Sequence, residues 1–154
     1  MTFYADSNFF TRFYLVLSDS RAAINLAADA RKVEAYPLPV TWLHRAEIIN
    51  ALQLHVFGSK QQGQERVTPE QAAIAQGRFR EDLQTMDFLQ IVDLPQQELL
   101  RKTEELSLRH AARHGFRAYD VIHVASALLL GCDTFWSFDR KASRLAKLEG
   151  LKTI

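Results

Sequence analysis

Cysteine is almost missing from this chain: one residue in 154, Cys132, so no intramolecular disulfide can staple the fold. No apolar run approaches the roughly 20 residues that a membrane-spanning helix needs. The N-terminus also lacks the basic segment and apolar stretch of a secretory leader. The expectation is therefore a cytoplasmic protein with no membrane partner. Excess charge is missing too. Nineteen Lys and Arg against eighteen Asp and Glu leave a net charge of +1, which excludes a protein that holds nucleic acid by bulk charge. Any phosphate contact has to come from local patches. There is no internal repeat, no low-complexity tract and no Cys/His cluster of the kind that binds zinc. What remains is an ordinary globular composition, 47% hydrophobic and 24% charged. At this length the expectation is one domain that buries about two-thirds of its unfolded surface. Cys132, beside Gly131 and an apolar helix, reads as a small buried hydrophobe.

Short strand-like and long helix-like segments alternate, which predicts a parallel sheet covered by helices. Thr2 to Ala5 reads as the first strand. Phe9, Phe10, Phe13, Tyr14 and Leu17 recur at helical spacing over residues 8–17, and a second amphipathic stretch runs from Ala22 to Val33. Leu38 to Thr41 is a short strand that Pro37 and Pro39 confine to an edge or a strand start, and a long helix carrying Glu47 follows. Gly58 to Val67 is a polar surface loop. Thr68-Pro69-Glu70-Gln71 then has the signature of a capped helix start. Phe88 to Val92 is a third strand. A helix runs from Pro95 to the terminator Gly115. The last unit comprises a helix from Asp120, a strand over Thr134–Phe138, a helix over Arg140–Glu149 and Leu151 to Ile154.

Against that layout four acids stand out. Asp6 closes the first strand, Asp139 follows the strand over Thr134–Phe138, Asp120 opens a helix, and Glu47 lies among apolar neighbours. Ligand sites in parallel α/β sheets gather beyond the carboxyl ends of strands. Carboxylates gathered there repel one another unless a hard cation neutralises them, and an oxygen-only ligand set indicates Mg²⁺ or Mn²⁺. Taken singly, each acid is equally well read as a surface acid at a helix start, worth roughly 0.3–1 kcal/mol from the helix dipole. Asn8 and Ser137 flank the acids as candidate donors that orient carboxylates, while Ser7 reads as a helix cap. Arg12, Arg45, Arg117, Arg140, Lys141 and Arg144 surround the acids in sequence and could draw in a phosphodiester. Arg117 and Arg140 are the first choices for substrate contact. His123, one turn beyond Asp120, is either a substrate contact or a hydrogen-bonded helix histidine. His110 and His114 share a helix face, but Ala111 stands where a zinc protease needs Glu.

The segments Tyr4-Ala5-Asp6-Ser7-Asn8-Phe9-Phe10, His44-Arg45-Ala46-Glu47-Ile48-Ile49-Asn50-Ala51-Leu52, Arg117-Ala118-Tyr119-Asp120-Val121-Ile122-His123-Val124-Ala125 and Gly131-Cys132-Asp133-Thr134-Phe135-Trp136-Ser137-Phe138-Asp139-Arg140 resemble, in order, the motifs of the PIN-domain ribonucleases. Length and layout look most like the VapC-type toxins of bacterial toxin–antitoxin pairs. The resemblance implies a PIN-like α/β/α sandwich with a central, mostly parallel sheet of four to five short strands flanked by helices. Residues 1–154 would form a single PIN-like domain whose polar loop near 58–67 leads into an inserted or clip-like helical segment. It further implies Mg²⁺- or Mn²⁺-dependent RNA cleavage, with Asp6, Glu47, Asp120 and Asp139 as catalytic metal ligands and Asn8 and Ser137 in support. The implied partners are an RNA substrate, a second copy in a homodimer and a cognate antitoxin. Ser7 departs from the Thr common at its position. Two alternatives are a PIN-like RNA- or protein-binding module without catalysis, and a phosphatase using Asp6 as nucleophile. The second of these normally wants an acid where Asn8 stands.

Overall fold

The computed structural model describes residues 2–15, 17–18, 20–32, 37–59 and 65–154. Residues 60–64 of the polar loop, and Val33 at the end of the second amphipathic stretch, lie outside the described residues. In chain order the elements are β1 (Phe3–Ala5), α1 (Ser7–Tyr14), α2 (Ser20–Lys32), β2 (Leu38–Val40), α3 (Trp42–Gly58) and α4 (Pro69–Thr85). They continue with β3 (Leu89–Ile91), α5 (Gln96–His114), α6 (Ala118–Leu129), β4 (Thr134–Trp136), α7 (Arg140–Leu148) and β5 (Lys152–Thr153). Among the described residues the five strands pair in parallel, as a three-stranded sheet in the order β1-β4-β5 and a two-stranded sheet β2-β3. The chain divides into two compact units, one of Met1–Asp6 with Val92–Ile154 and one of Ser7–Ile91.

The first unit is built on the three-stranded sheet. Strands of three residues expose few backbone groups to pairing, so their side chains decide the register. Tyr4 and Phe135 are fully buried opposite each other and stack with centroids 5.7 Å apart. Leu106 of α5, Val124 of α6 and Leu145 of α7 close the core over them. Gly115 ends α5 in the left-handed region at φ 66°, where its missing Cβ removes the steric penalty. Cys132 is buried in this core. Burial, followed by the charge of Asp133, pushes its thiol up to about 11. It is an inert packing group at neutral pH, as its apolar sequence context implies.

In the second unit the aromatic run of α1 is core: Phe9 and Phe10 are fully buried, and Tyr14 packs edge-on to Phe79. The Tyr14 hydroxyl donates to Asp82 at 2.5 Å, which supplies the polar partner a buried phenol needs. Pro39 pairs with Gln90 in the two-stranded sheet, where both strands are edges and a missing N–H is tolerated. The capping box before α4 forms as its sequence indicates. Thr68 N–H donates to Gln71 Oε1 at 2.8 Å and Gln71 N–H donates to Thr68 Oγ1 at 3.2 Å.

Candidate metal and active site

β1 and β4 deliver the first two elements of the site. Ala5 is in register with Trp136, and the Asp6 N–H donates to the Trp136 carbonyl at 3.0 Å, so pairing runs one residue past the strand. Asp6 and Ser137 therefore leave the carboxyl ends of adjacent parallel strands together. Asp6 is only 4% exposed, an expensive place for a carboxylate that has no electrostatic purpose.

The Ser137 hydroxyl accepts from the Asp139 N–H at 2.9 Å and folds the chain into the turn that starts α7. Asp139 then caps α7, its Oδ1 accepting from the N–H groups of Lys141 at 2.7 Å and Ala142 at 3.3 Å. The Ser137 hydroxyl therefore contacts the Asp139 backbone and not its carboxylate.

Asp120 is the third residue of α6, two positions further in than its sequence reading as the helix opener, because Ala118 and Tyr119 already take helical conformation. Its Oδ2 accepts from the Arg117 N–H at 3.1 Å, the reciprocal half of a helix-start cap. Burial, and after it the charge of Asp139, raises the Asp120 carboxyl above the ordinary range against the opposing Arg117 N–H bond. Asp120 and Asp139 thus act on one another as like charges. Each uses one oxygen to hold a helix start. Among the described residues no hydrogen bond engages the second oxygen of either.

His123 lies one turn after Asp120. It is buried and shares a 2.8 Å hydrogen bond between its Nδ1 and the Tyr4 hydroxyl, which ties the start of α6 to β1 two residues before Asp6. Of its two readings, this is the environment of a hydrogen-bonded helix histidine. Arg117 and Arg140, flanking Asp120 and Asp139, are both exposed.

Glu47, Ser7 and Asn8 belong to the second unit. Ser7 is the first residue of α1 and not a cap preceding it. Its hydroxyl donates to Glu47 Oε2 at 2.6 Å. The partly buried Glu47 carboxylate is thereby held by the residue that follows Asp6 in the chain. Asn8 turns its Oδ1 to Arg12, whose guanidinium donates to it at 2.5 Å. In the first unit His110 Nε2 lies 2.6 Å from Glu149, a structural role, and Arg109 donates to both oxygens of that carboxylate. Apart from the i, i+4 pair of Asn8 and Arg12, these partnerships span from 39 to 119 residues of sequence, and no local pattern announces them.

Among the described residues no group of three or more His, Cys, Asp or Glu side chains is placed to hold a metal ion. In its chemistry, though not as a gathered group, the donor set suits a hard cation. It is oxygen-only, Asp120 and Asp139 repel one another, and each has an oxygen left over. Mg²⁺ in particular is usually held by one or two carboxylates, with water and substrate phosphate completing its octahedron.

The PIN domain family model matches residues 3–148. No curated protein sequence is significantly similar to the chain. Among solved structures the fold is similar to that of VapC20 from Mycobacterium tuberculosis, described as a Sarcin-Ricin loop cleaving toxin. The TM-score is 0.62 at 17% identity, covering 92% of this chain and 93% of that one. FitAcB from Neisseria gonorrhoeae gives a TM-score of 0.62 at 14% identity, covering 99% and 96%. PAE2754 from Pyrobaculum aerophilum gives 0.56 at 17% identity, covering 99% and 89%.

Proposed function

The chain belongs to the PIN-domain family, and on that footing we propose that it is a divalent-metal-dependent endoribonuclease, the toxin of a toxin–antitoxin pair. Two observations carry this reading: Asp6 is buried beside Ser137 at the strand ends, and Asp120 and Asp139 repel one another from helix starts of the same unit. Support for the toxin reading comes from the likeness to VapC20, itself described as a toxin that cleaves the Sarcin-Ricin loop. The same reading includes a homodimer, a cognate antitoxin and a cytoplasmic site of action. Among the described residues no helix is long and apolar enough to cross a membrane.

Asp6, Asp120 and Asp139 would hold Mg²⁺ or Mn²⁺, and Glu47 joins them on the strength of the family resemblance. Such a cation, when bound, lowers the pKa of water and offsets the charge that develops on the phosphate. The chain's own residues do the positioning. The helix-start N–H groups fix one oxygen of Asp120 and one of Asp139, so the free oxygens are presented without side-chain reorganisation. Ser137 fixes the Asp139 turn, the Tyr4–His123 bond fixes the start of α6, and Ser7 orients Glu47. Arg117 and Arg140 are the proposed phosphate contacts at the edge of the acids, with His123 behind them.

The test is cleavage of cellular RNA by the purified protein. With Mg²⁺ or Mn²⁺ the expected result is discrete fragments, and EDTA should stop their formation. Fragmentation that persists undiminished in EDTA would refute metal dependence.

A further inference from the structure

Beyond the acids, the sequence holds two stretches of one sign. Residues 109–117 carry three arginines and no acid, and residues 140–148 carry two arginines, two lysines and no acid. In a chain of net charge +1, that is a local concentration the composition conceals. The fold places the two stretches together. Lys141 Nζ donates to the Gly115 carbonyl at 3.0 Å, which joins the first turn of α7 to the turn between α5 and α6. His114, in the first stretch, feels charges from both. Its pKa is held down by burial and then by the charges of Arg144 from α7 and Arg113 from α5.

Not every cation here is available. Arg109 and His110 are occupied by Glu149. Arg113, Arg117, Arg140 and Arg144 are exposed, and among the described residues none is ion-paired with a carboxylate. Arg140 and Arg144 are four residues apart on α7, so they share a face about 6 Å apart along the axis. Buried Ala142, Leu145 and Ala146 fix the opposite face against the core. Arg140 follows Asp139 directly, and Arg117 stands three residues before Asp120 with its N–H on the Asp120 carboxylate, so two of the cations adjoin the acids.

We propose that Arg113, Arg117, Arg140 and Arg144 form a cationic ridge that carries the phosphate backbone of a single RNA strand away from the acidic cluster. The proposal rests on the ribonuclease reading and adds the path of the strand. RNA suits the ridge better than an acidic protein segment, because a polymer cut at the acids must carry phosphates onward from the scissile bond. Arginine forks match phosphate oxygens in pairs. Contacts of this kind hold the backbone in position and do not read sequence.

The test compares wild type, the double variant Arg113→Gln/Arg144→Gln, and Arg101→Gln. Arg101→Gln is a control at an exposed arginine near the other end of α5, about 18 Å from Arg113 along the helix. Affinity for a short fluorescein-labelled polyuridine strand is measured in EDTA from low to physiological salt, with strand integrity checked on gels. The double variant is expected to reduce the slope of log affinity against log salt by about 1.4, two contacts at about 0.7 each. Arg101→Gln should keep the wild-type slope. In Mg²⁺, the double variant should raise KM several-fold and leave kcat within about twofold, the pattern of lost uniform binding. A wild-type slope in the double variant, in a protein that does bind and cut RNA, overturns the ridge and leaves the nuclease reading standing. Wild type that neither binds nor cuts RNA removes both. A slope change with polyglutamate but not with polyuridine would assign the ridge to an acidic protein and overturn its assignment to RNA.

Discussion

Asp6→Asn and Asp120→Asn should each cut RNA cleavage by about a thousandfold or more, the factor that roughly 4 kcal/mol of lost transition-state stabilisation produces. Asparagine keeps the volume and one acceptor oxygen. At position 120 it can still accept the Arg117 N–H that starts α6, so the helix start should survive. What it loses is the charge, and an amide oxygen is a far weaker partner for a hard cation. Binding of RNA should fall much less than cleavage, because phosphate contacts come from arginines and not from the acids. Cleavage rates under saturating RNA, with circular dichroism to verify the fold, would check this. Near-wild-type turnover in either variant would remove that acid from the mechanism.

The second large effect is on stability and has a definite sign. The Asp120 carboxyl is raised above its ordinary value by burial and then by Asp139. Its contribution to stability is therefore fully present below the unfolded value of about 3.9 and is lost as pH rises through the higher folded value. At pH 7 without metal, the ionised group works against the fold. Asp120→Asn should then melt above the wild type in EDTA, and the difference should shrink as pH falls below about 4. Taking the difference between the two proteins cancels the carboxylates that do not interact with Asp120. Excess Mg²⁺ should reverse the order, since a ligand at one hundred times its Kd stabilises the folded state by about 2.7 kcal/mol. For a chain of this size each 1 kcal/mol is about 2–4 °C in melting temperature, so the reversal is readable by scanning calorimetry. Equal magnesium shifts in both proteins would show that Asp120 holds no cation.

What the sequence made legible was local. Asp6 and Asp139 could be placed because each ends a short apolar run, and a run of that length between turn residues has few options but a strand. Thr68, Pro69 and Gln71 could be placed because a capping box is complete within four residues. Gly115 as terminator is equally local. The register of β1 on β4, with Tyr4 opposite Phe135, depends on residues 131 apart that meet only in the folded state. Serine before a helix usually caps it, but Ser7 is the first helical residue and sends its hydroxyl to Glu47, 40 positions away. His110 and His123 were recognisable as helix residues, but their partners Glu149 and Tyr4 come from other elements. The division of the strands into a three-stranded and a two-stranded sheet was likewise hidden. Strands of three residues give a pattern too short to specify neighbours.

The central claim, that Asp6, Asp120 and Asp139 hold a divalent cation, is tested most directly by titrating Mn²⁺ into the wild-type protein and Asp120→Asn. Free Mn²⁺ is followed by its EPR signal. Wild type should remove Mn²⁺ from solution saturably, and the variant should bind it about tenfold more weakly or worse, at least what the loss of a supporting group costs a metal site. Equal binding by the two proteins, or no saturable binding by the wild type, would contradict the claim.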